Sequence, residues 1–133
     1  MMEAVLAHLL AASEISALVG ARINWRVQPP EQTARPYVNL QLVGGGRDYS
    51  LDGPRRWRRV RVQVDVWAES GTSAHAVWAA VEARLSGFAG ALSGVEVSMV
   101  RLEGVRSLSD RSEDGTRLAG CSGDFSFRWR GVT

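Results

Sequence analysis

Val60, Val62, Val64 and Val66 stand at every second position of VRVQVDVW. A repeat of two is the period of a β-strand, whose successive side chains point to opposite faces. All four valines therefore share one face, and that face has to be covered by other apolar groups. The alternate set, Arg59, Arg61, Gln63, Asp65 and Trp67, points away from the core. From Arg56 to Trp67 an extended chain spans roughly 40 Å at about 3.3 Å per residue, which is long for a strand in a small domain. The arginine-rich start of this segment is expected to overhang the sheet as an arm.

The rest of the chain supplies the cover. Val5, Leu6, Leu9 and Leu10 recur at helical spacing, and Ser13 stands where it could cap a short second turn carrying Ile15, Leu18 and Val19, stopped by Gly20. RINW is a short extended piece, and Pro29, Pro30 and Pro36 mark an irregular connection. PYVNLQLV alternates, with Val38, Leu40 and Leu42 on one side and Tyr37, Asn39 and Gln41 on the other. Gly44, Gly45 and Gly46 are expected to end or bend that strand, and RDYSLDGP to form a loop with Asp52-Gly53-Pro54 as its turn. After the valine strand, Ser70 or Thr72 can cap a helix whose stripe is Ala74, Val77, Trp78, Val81, Leu85 and Phe88, closed by Gly87 and Gly90. VEVSMVRLEGVRSL reads as a third long strand bent at Gly104, and SDRSEDGT as a hairpin turn. DFSFRWR closes the chain with Phe125, Phe127 and Trp129 on one face and Asp124, Ser126, Arg128 and Arg130 on the other.

The expected order is α-β-β-α-β-β. It gives one α+β domain over residues 1–133, a mainly antiparallel twisted sheet of about four strands with two helices packed on one face. The opposite face then carries Arg59, Arg61, Asp65, Trp67, Arg128 and Arg130.

Composition narrows the function. All sixteen Lys and Arg side chains are Arg, yet the formal net charge is only +2. The chain is not a polycation, and its cations are planar forks suited to carboxylate or phosphate. Cys121 is the one cysteine, so no disulfide forms within the chain. MMEAVLAHLLAASEIS lacks the basic start of a signal peptide and reads as a core helix, and no apolar run is long enough for a membrane span. His8 and His75 have no ligand or catalytic neighbour at suitable spacing and read as solvated or capping side chains. Cys121 reads as a structural thiol, GGGR at 44–47 lacks the Gly-Lys-Ser/Thr ending of a phosphate loop, and Glu113 with Asp114 reads as a solvated hairpin tip. No catalytic, cofactor-binding or metal site is expected, and the chain is not expected to be an enzyme.

What remains is GPRRWRRVR, where five arginines fall within residues 55–61 around Trp57. Three readings compete: a solvated hairpin end, an interface in which Arg forks meet carboxylates, and contact with nucleic-acid phosphates. The interface candidates are Arg55, Arg56, Trp57, Arg58, Arg59, Arg61, Trp67, Arg128 and Arg130. A small nucleic-acid-binding module using the Arg55–Arg61 arm is the alternative function, although no recognition-helix motif accompanies it.

Three stretches together carry a resemblance: AVLAHLLAASEISALVGARI followed by a proline-bearing loop and RPYVNLQLV; SLDGPRRWRRVRVQVDVWAESGTSAHAVWAAVEARLSG; and the closing GDFSFRWRG. In order, and over nearly the whole chain, they resemble the tail-completion, or tail terminator, proteins of long-tailed bacteriophages, prophages and gene transfer agents. The resemblance implies a small α+β domain that assembles as a ring, usually hexameric, at the head-proximal end of the tail tube. Such a ring stops tube polymerisation and presents a surface to the head-completion or stopper protein of the neck, with double-stranded DNA passing through the bore. It implies a homo-oligomer that also binds the tail tube protein, without cofactor or membrane. Assembly would occur in the host bacterial cytoplasm and the product would sit in the tail neck of the particle. Residues 44–54 and the arm at 55–61 match the region where the family places an extended hairpin. Arg47, Arg55, Arg56 and Arg58 become the candidates for contact with DNA in the bore.

Overall fold

Long alternating stretches pair into one sheet, and the apolar helices cover one side of it. The computed structural model describes residues 2–26, 34–111 and 115–131, apart from the side chains of Asp48, Pro54 and Arg55. Its elements are α1 (Met2–Leu10), α2 (Ser13–Val19), β1 (Ile23–Trp25), β2 (Tyr37–Ser50), β3 (Gly53–Ala68), α3 (Gly71–Leu85), β4 (Gly90–Leu92), β5 (Val95–Arg111) and β6 (Arg117–Gly131). The strands form a six-stranded sheet in the order β1-β2-β3-β6-β5-β4. The α+β class holds, but the expected four strands and two helices do not. β1 and β4 are three residues each, too short to show a period in sequence, and are defined by what they pair with. β1 runs parallel to β2, from Ile23 opposite Val38 to Trp25 opposite Leu40, so the sheet is mixed.

The second departure is at the glycines. β2 does not end at Gly44 but runs on to Ser50, with Gly45 opposite Val60 and Arg47 opposite Arg58. A bulge between Leu42 and Gly44 bends the strand without breaking it. Gly45 is needed for close approach, since a Cβ there would sit 2.9 Å from the Arg59 carbonyl oxygen. The expected loop at 47–50 is therefore strand, and the arginine arm is one half of a paired ribbon. At the other hairpin, β5 continues to Arg111 and β6 begins at Arg117; the turn expected around Glu113 and Asp114 and the connection at Pro29 and Pro30 lie outside the described residues. The bend expected at Gly104 is a register shift between Leu102 and Gly104.

The core lies between the helices and the inner face of the two central strands, β3 and β6. Val62, Val64, Val66, Phe125 and Phe127 are buried there with Val5, Leu9, Ile15, Val77, Val81 and Leu85 from the helices. Full burial of each large side chain is worth about 1.5–3 kcal/mol. α3 is seated by a notch. Gly123 of β6 has no side chain, and the six-membered ring of Trp78 fills the space, close to Phe125 at 5.7 Å between ring centres. Ser70 starts this helix from an extended conformation, its Oγ accepting from the Ser73 amide at 3.1 Å, so Ser70 rather than Thr72 is the cap. At α2 the expected cap is absent: Ala12 occupies that position with no side-chain bond, and Ser13 is already helical. Among the described residues no single helix is long and apolar enough to cross a membrane; α1 and α2 would be so only together, and they bend by 83° at their junction.

α1 is tied to the end of α3 by a reciprocal pair. His8 Nε2 donates to the Arg84 carbonyl oxygen at 3.4 Å, Arg84 Nε donates to the His8 carbonyl oxygen at 3.1 Å, and the imidazole lies 4.4 Å from the Phe88 ring. His8 is thus half-buried rather than solvated, and it does bond a last-turn carbonyl, as a capping group would. Burial first, and then the Arg84 charge, hold its pKa below the ordinary 6.5, against a smaller opposing effect of its backbone hydrogen bond. A lowered folded pKa means that the unfolded chain binds the proton more readily. His8 therefore contributes stability that is present above pH 6.5 and lost as pH falls through its lower folded value. In His8→Gln, the fall in stability across that window, measured by urea unfolding at a series of pH values, is expected to be shallower than in the wild type.

Candidate functional site

Strand alternation divides the arginine cluster between two faces. Trp57, Arg59 and Arg61 lie on the side away from the helices, while Arg58 falls in step with Val60 and Val62 on the helix side. Arg56 shares the parity of Arg58 and is exposed. Arg55 lies in β3, but its side chain is outside the described residues.

On the uncovered face Trp57 is half-buried beneath two guanidinium groups. Arg128 and Arg130 each stand 4.9 Å from its ring centre. Arg130 is fixed further by Glu96 of β5, with Nη2 and Nε at 2.8 and 2.9 Å from one carboxylate oxygen. Two guanidinium groups thus lie against one indole, and Glu96 holds Arg130 before any partner arrives. Arg59 lies opposite Arg128, and Arg61 opposite Ser126. Trp67 is at the far end of β3, where a Cβ on Gly120 would come within 3.0 Å of its ring, so it packs across β6 and is separate from the arginine stack. Between these ends the face is rich in acceptors. Gln63 donates to both Asp65 oxygens at 3.0 and 3.1 Å, and Asn39 Oδ1, Ser122 Oγ and Asp124 Oδ1 are buried without a hydrogen-bond partner.

On the helix side the core is left open at one end. Beyond the first turn of α1 the sheet continues without a roof, leaving a largely apolar groove of about 570 Å³. Trp25, Leu42, Val60 and Trp129 line it, Glu3 stands on the α1 side, and the Arg58 guanidinium lies 5.4 Å from the Trp129 ring centre. Gly46 adds no side chain to the lining of this groove. Gly44–Gly46 border a hollow of about 300 Å³ on the opposite face, lined also by Val43, Arg59, Arg61 and Ser126. Arg47 sits directly across from Arg58. Like charges at paired positions of neighbouring strands are unfavourable, and the Arg58 guanidinium lies toward β6, over Trp129.

The β2–β3 ribbon then runs past the end of the groove to a tip at Leu51 and Asp52. Leu51 is fully exposed and Tyr49 is 71% exposed. The structure therefore brings Trp57, Arg128 and Arg130 together, sets Arg47 and Arg58 on the other side, and leaves Trp67 apart. Leu42 and Leu51 are exposed, although the first is in step with the core face of β2 and the second is expected only as part of a loop; Trp129 is partly buried against the core, as its alternation predicts. The readable signal was Leu51, an isolated large apolar residue inside turn chemistry. The lone thiol, Cys121, is half-buried, and burial raises its pKa, which opposes thiolate chemistry. Among the described residues no three His, Cys, Asp or Glu side chains gather as metal donors would.

The family profile described as tail completion protein gp17 matches residues 3–130. The chain belongs to this family. Its role is accordingly structural, in a phage-type tail. Among the solved structures, one chain of a structure described as the virion of a native gene transfer agent particle superposes on this chain with a TM-score of 0.76 at 24% identity. That match covers 98% of this chain and 95% of the other. A second solved chain superposes with a TM-score of 0.51 at 18% identity, covering 100% and 96%. Both share the fold of this family member from end to end. Among curated proteins none matches.

Proposed function

We propose that this protein forms a ring, hexameric as its family implies, at the head-proximal end of a phage-like tail tube. The ring stops polymerisation of the tube and joins the tail to the head or neck, with double-stranded DNA passing through the bore. Its partners are further copies of itself, the tail tube protein and the head-completion or stopper protein. It is assembled in the host bacterial cytoplasm and ends in the tail neck of a virion or gene-transfer-agent particle. It has no catalytic role.

The observation that carries this reading is the family match over residues 3–130, joined to a surface built for contact. One end of the sheet concentrates Arg47, Arg56, Arg58, Arg59, Arg61, Arg128 and Arg130 around Trp57 and Trp129. Fixed guanidinium groups over aromatic rings are the composition of interface anchors. Deleting the protein is expected to give tails of uncontrolled length or heads without tails when particles are measured by electron microscopy. Tails of normal length joined to heads would remove the terminator role.

The opposed Arg47 and Arg58 favour one further reading, a small nucleic-acid-binding module that uses the Arg55–Arg61 ribbon on phosphates. A ring repeats every cation in each copy, so tight binding would hold DNA that has to move. Weak, salt-sensitive contact fits passage better. A gel shift at physiological salt separates the two: tight binding by the isolated protein favours the module.

A further inference from the structure

The tip of the β2–β3 ribbon and the open end of the core are different surfaces with matching chemistry. Among the described residues Leu51, at 107%, and Tyr49 are the most exposed large apolar side chains, and Asp52 stands beside Leu51. The groove offers Leu42, Val60 and Trp129 as apolar walls and Arg58 as a cation, with Arg47 at the paired position of β2. The tip cannot fill its own groove. Leu51 lies nine positions along β2 from Leu42, roughly 30 Å at about 3.3 Å per residue, and β3 pairs with β2 along that stretch. A tip that enters this groove has to come from another molecule.

We propose that the β2–β3 tip of one copy seats in the groove of the next, with Leu51 against Trp129 and Val60 and the Asp52 carboxylate against Arg58 and Arg47. Each copy then gives a tip on one side and receives one on the other. Such a heterologous contact closes into a ring or runs on as an open chain, according to the rotation between copies. The charges agree with this occupant: an aspartate placed beside the inserted leucine meets Arg58 in the groove lining and Arg47 at the paired position of β2. The inference rests on the reading that this protein assembles with itself, and it names the contact by which it does so.

Two single variants test it. Leu51→Asp spoils the tip and Arg58→Glu spoils the groove edge; both side chains are exposed, and near-ultraviolet circular dichroism checks that each variant is folded. Sedimentation velocity over a concentration series is expected to show wild-type oligomers and, for each variant, self-association weakened by about 100-fold, the loss expected when one leucine contact and one charge pair are removed. An equimolar mixture of the two variants is expected to give a 1:1 heterodimer and nothing larger. The intact groove of one can still take the intact tip of the other, and the chain of contacts stops there. Asp52→Arg combined with Arg58→Asp in one chain restores oligomers. Leu51→Asp assembling as well as the wild type would overturn the tip contact and leave the ring to other surfaces. So would an oligomerising wild type whose two variants fail to pair. A wild type that stays monomeric at every concentration and in the presence of tail tubes would overturn both the contact and the self-assembly beneath it. A Leu51→Asp variant that assembles normally while Arg58→Glu loses DNA in a gel shift would assign the groove edge to phosphate instead.

Discussion

Gly123→Ala is expected to destabilise the domain by about 2–3 kcal/mol, within the range for overpacking a tight core, which is roughly a 10 °C fall in Tm for a domain of this size. The added Cβ would lie 2.8 Å from Trp78 Cζ2 and 3.0 Å from the Gly104 carbonyl oxygen, and closer still to the outer edge of the indole. Neither neighbour gives way easily. The carbonyl belongs to the β5–β6 pairing, and the indole is clamped between α3 and Phe125, with Nε1 donating to Glu82 Oε1 at 3.3 Å. Trp78→Leu removes the ring that the new methyl group strikes. Alone it also destabilises, through reduced burial and an imperfectly filled notch. In the double variant the two penalties are expected not to add: the pair should be little worse than Trp78→Leu by itself, which a double-mutant cycle of urea unfolding measures. Gly104→Ala is the contrast, because nothing lies within 4 Å of a Cβ there and little change is expected. Equal stability of Gly123→Ala and wild type would mean that α3 does not sit on β6 in this way.

Arg56→Glu with Arg58→Glu is expected to leave the monomer folded and to reduce infectious or transducing particles by about 100-fold or more. Both arginines are exposed, and neither contributes to the buried core. Within the monomer, Arg58→Glu removes the stacking of the guanidinium on Trp129, worth about 0.5–1 kcal/mol at an exposed site. Assembly responds differently. Reversing charge at an interface places like against like, a penalty of several kcal/mol, and a ring repeats it at every junction. Circular dichroism of the purified variant and a particle titre read the two effects separately. A normal titre from a folded variant would detach this ribbon from assembly.

The parts of the fold legible in sequence are those in which one local pattern persists. Four alternating valines, the Phe125-Phe127-Trp129 alternation and the Ala74–Leu85 stripe each repeat often enough to fix a face, and each lies where expected. β1 and β4 were illegible as sheet strands for the opposite reason: three residues carry no period, and pairing with a distant neighbour defines them. The three glycines were misleading. Gly44–Gly46 lower strand propensity locally, but the paired ribbon overrides it, and the three glycines border a surface hollow instead of a chain break. The arginine cluster was legible as a cluster and not as a surface. Alternation assigns Arg58 to the valine side, but only the length of α1 shows that the helix cover stops short of it, so that a position in step with the core is open to solvent.

The central claim is a ring of this protein at the head-proximal end of the tail. The most direct measurement is a cryo-microscopy reconstruction of the particle neck, compared with one from particles in which this chain carries a fused marker domain. Marker density is expected to repeat around the tail axis, between the last ring of the tube and the head or its stopper. Marker density along the length of the tube, at the distal tip, or as a single copy off the axis would contradict the claim.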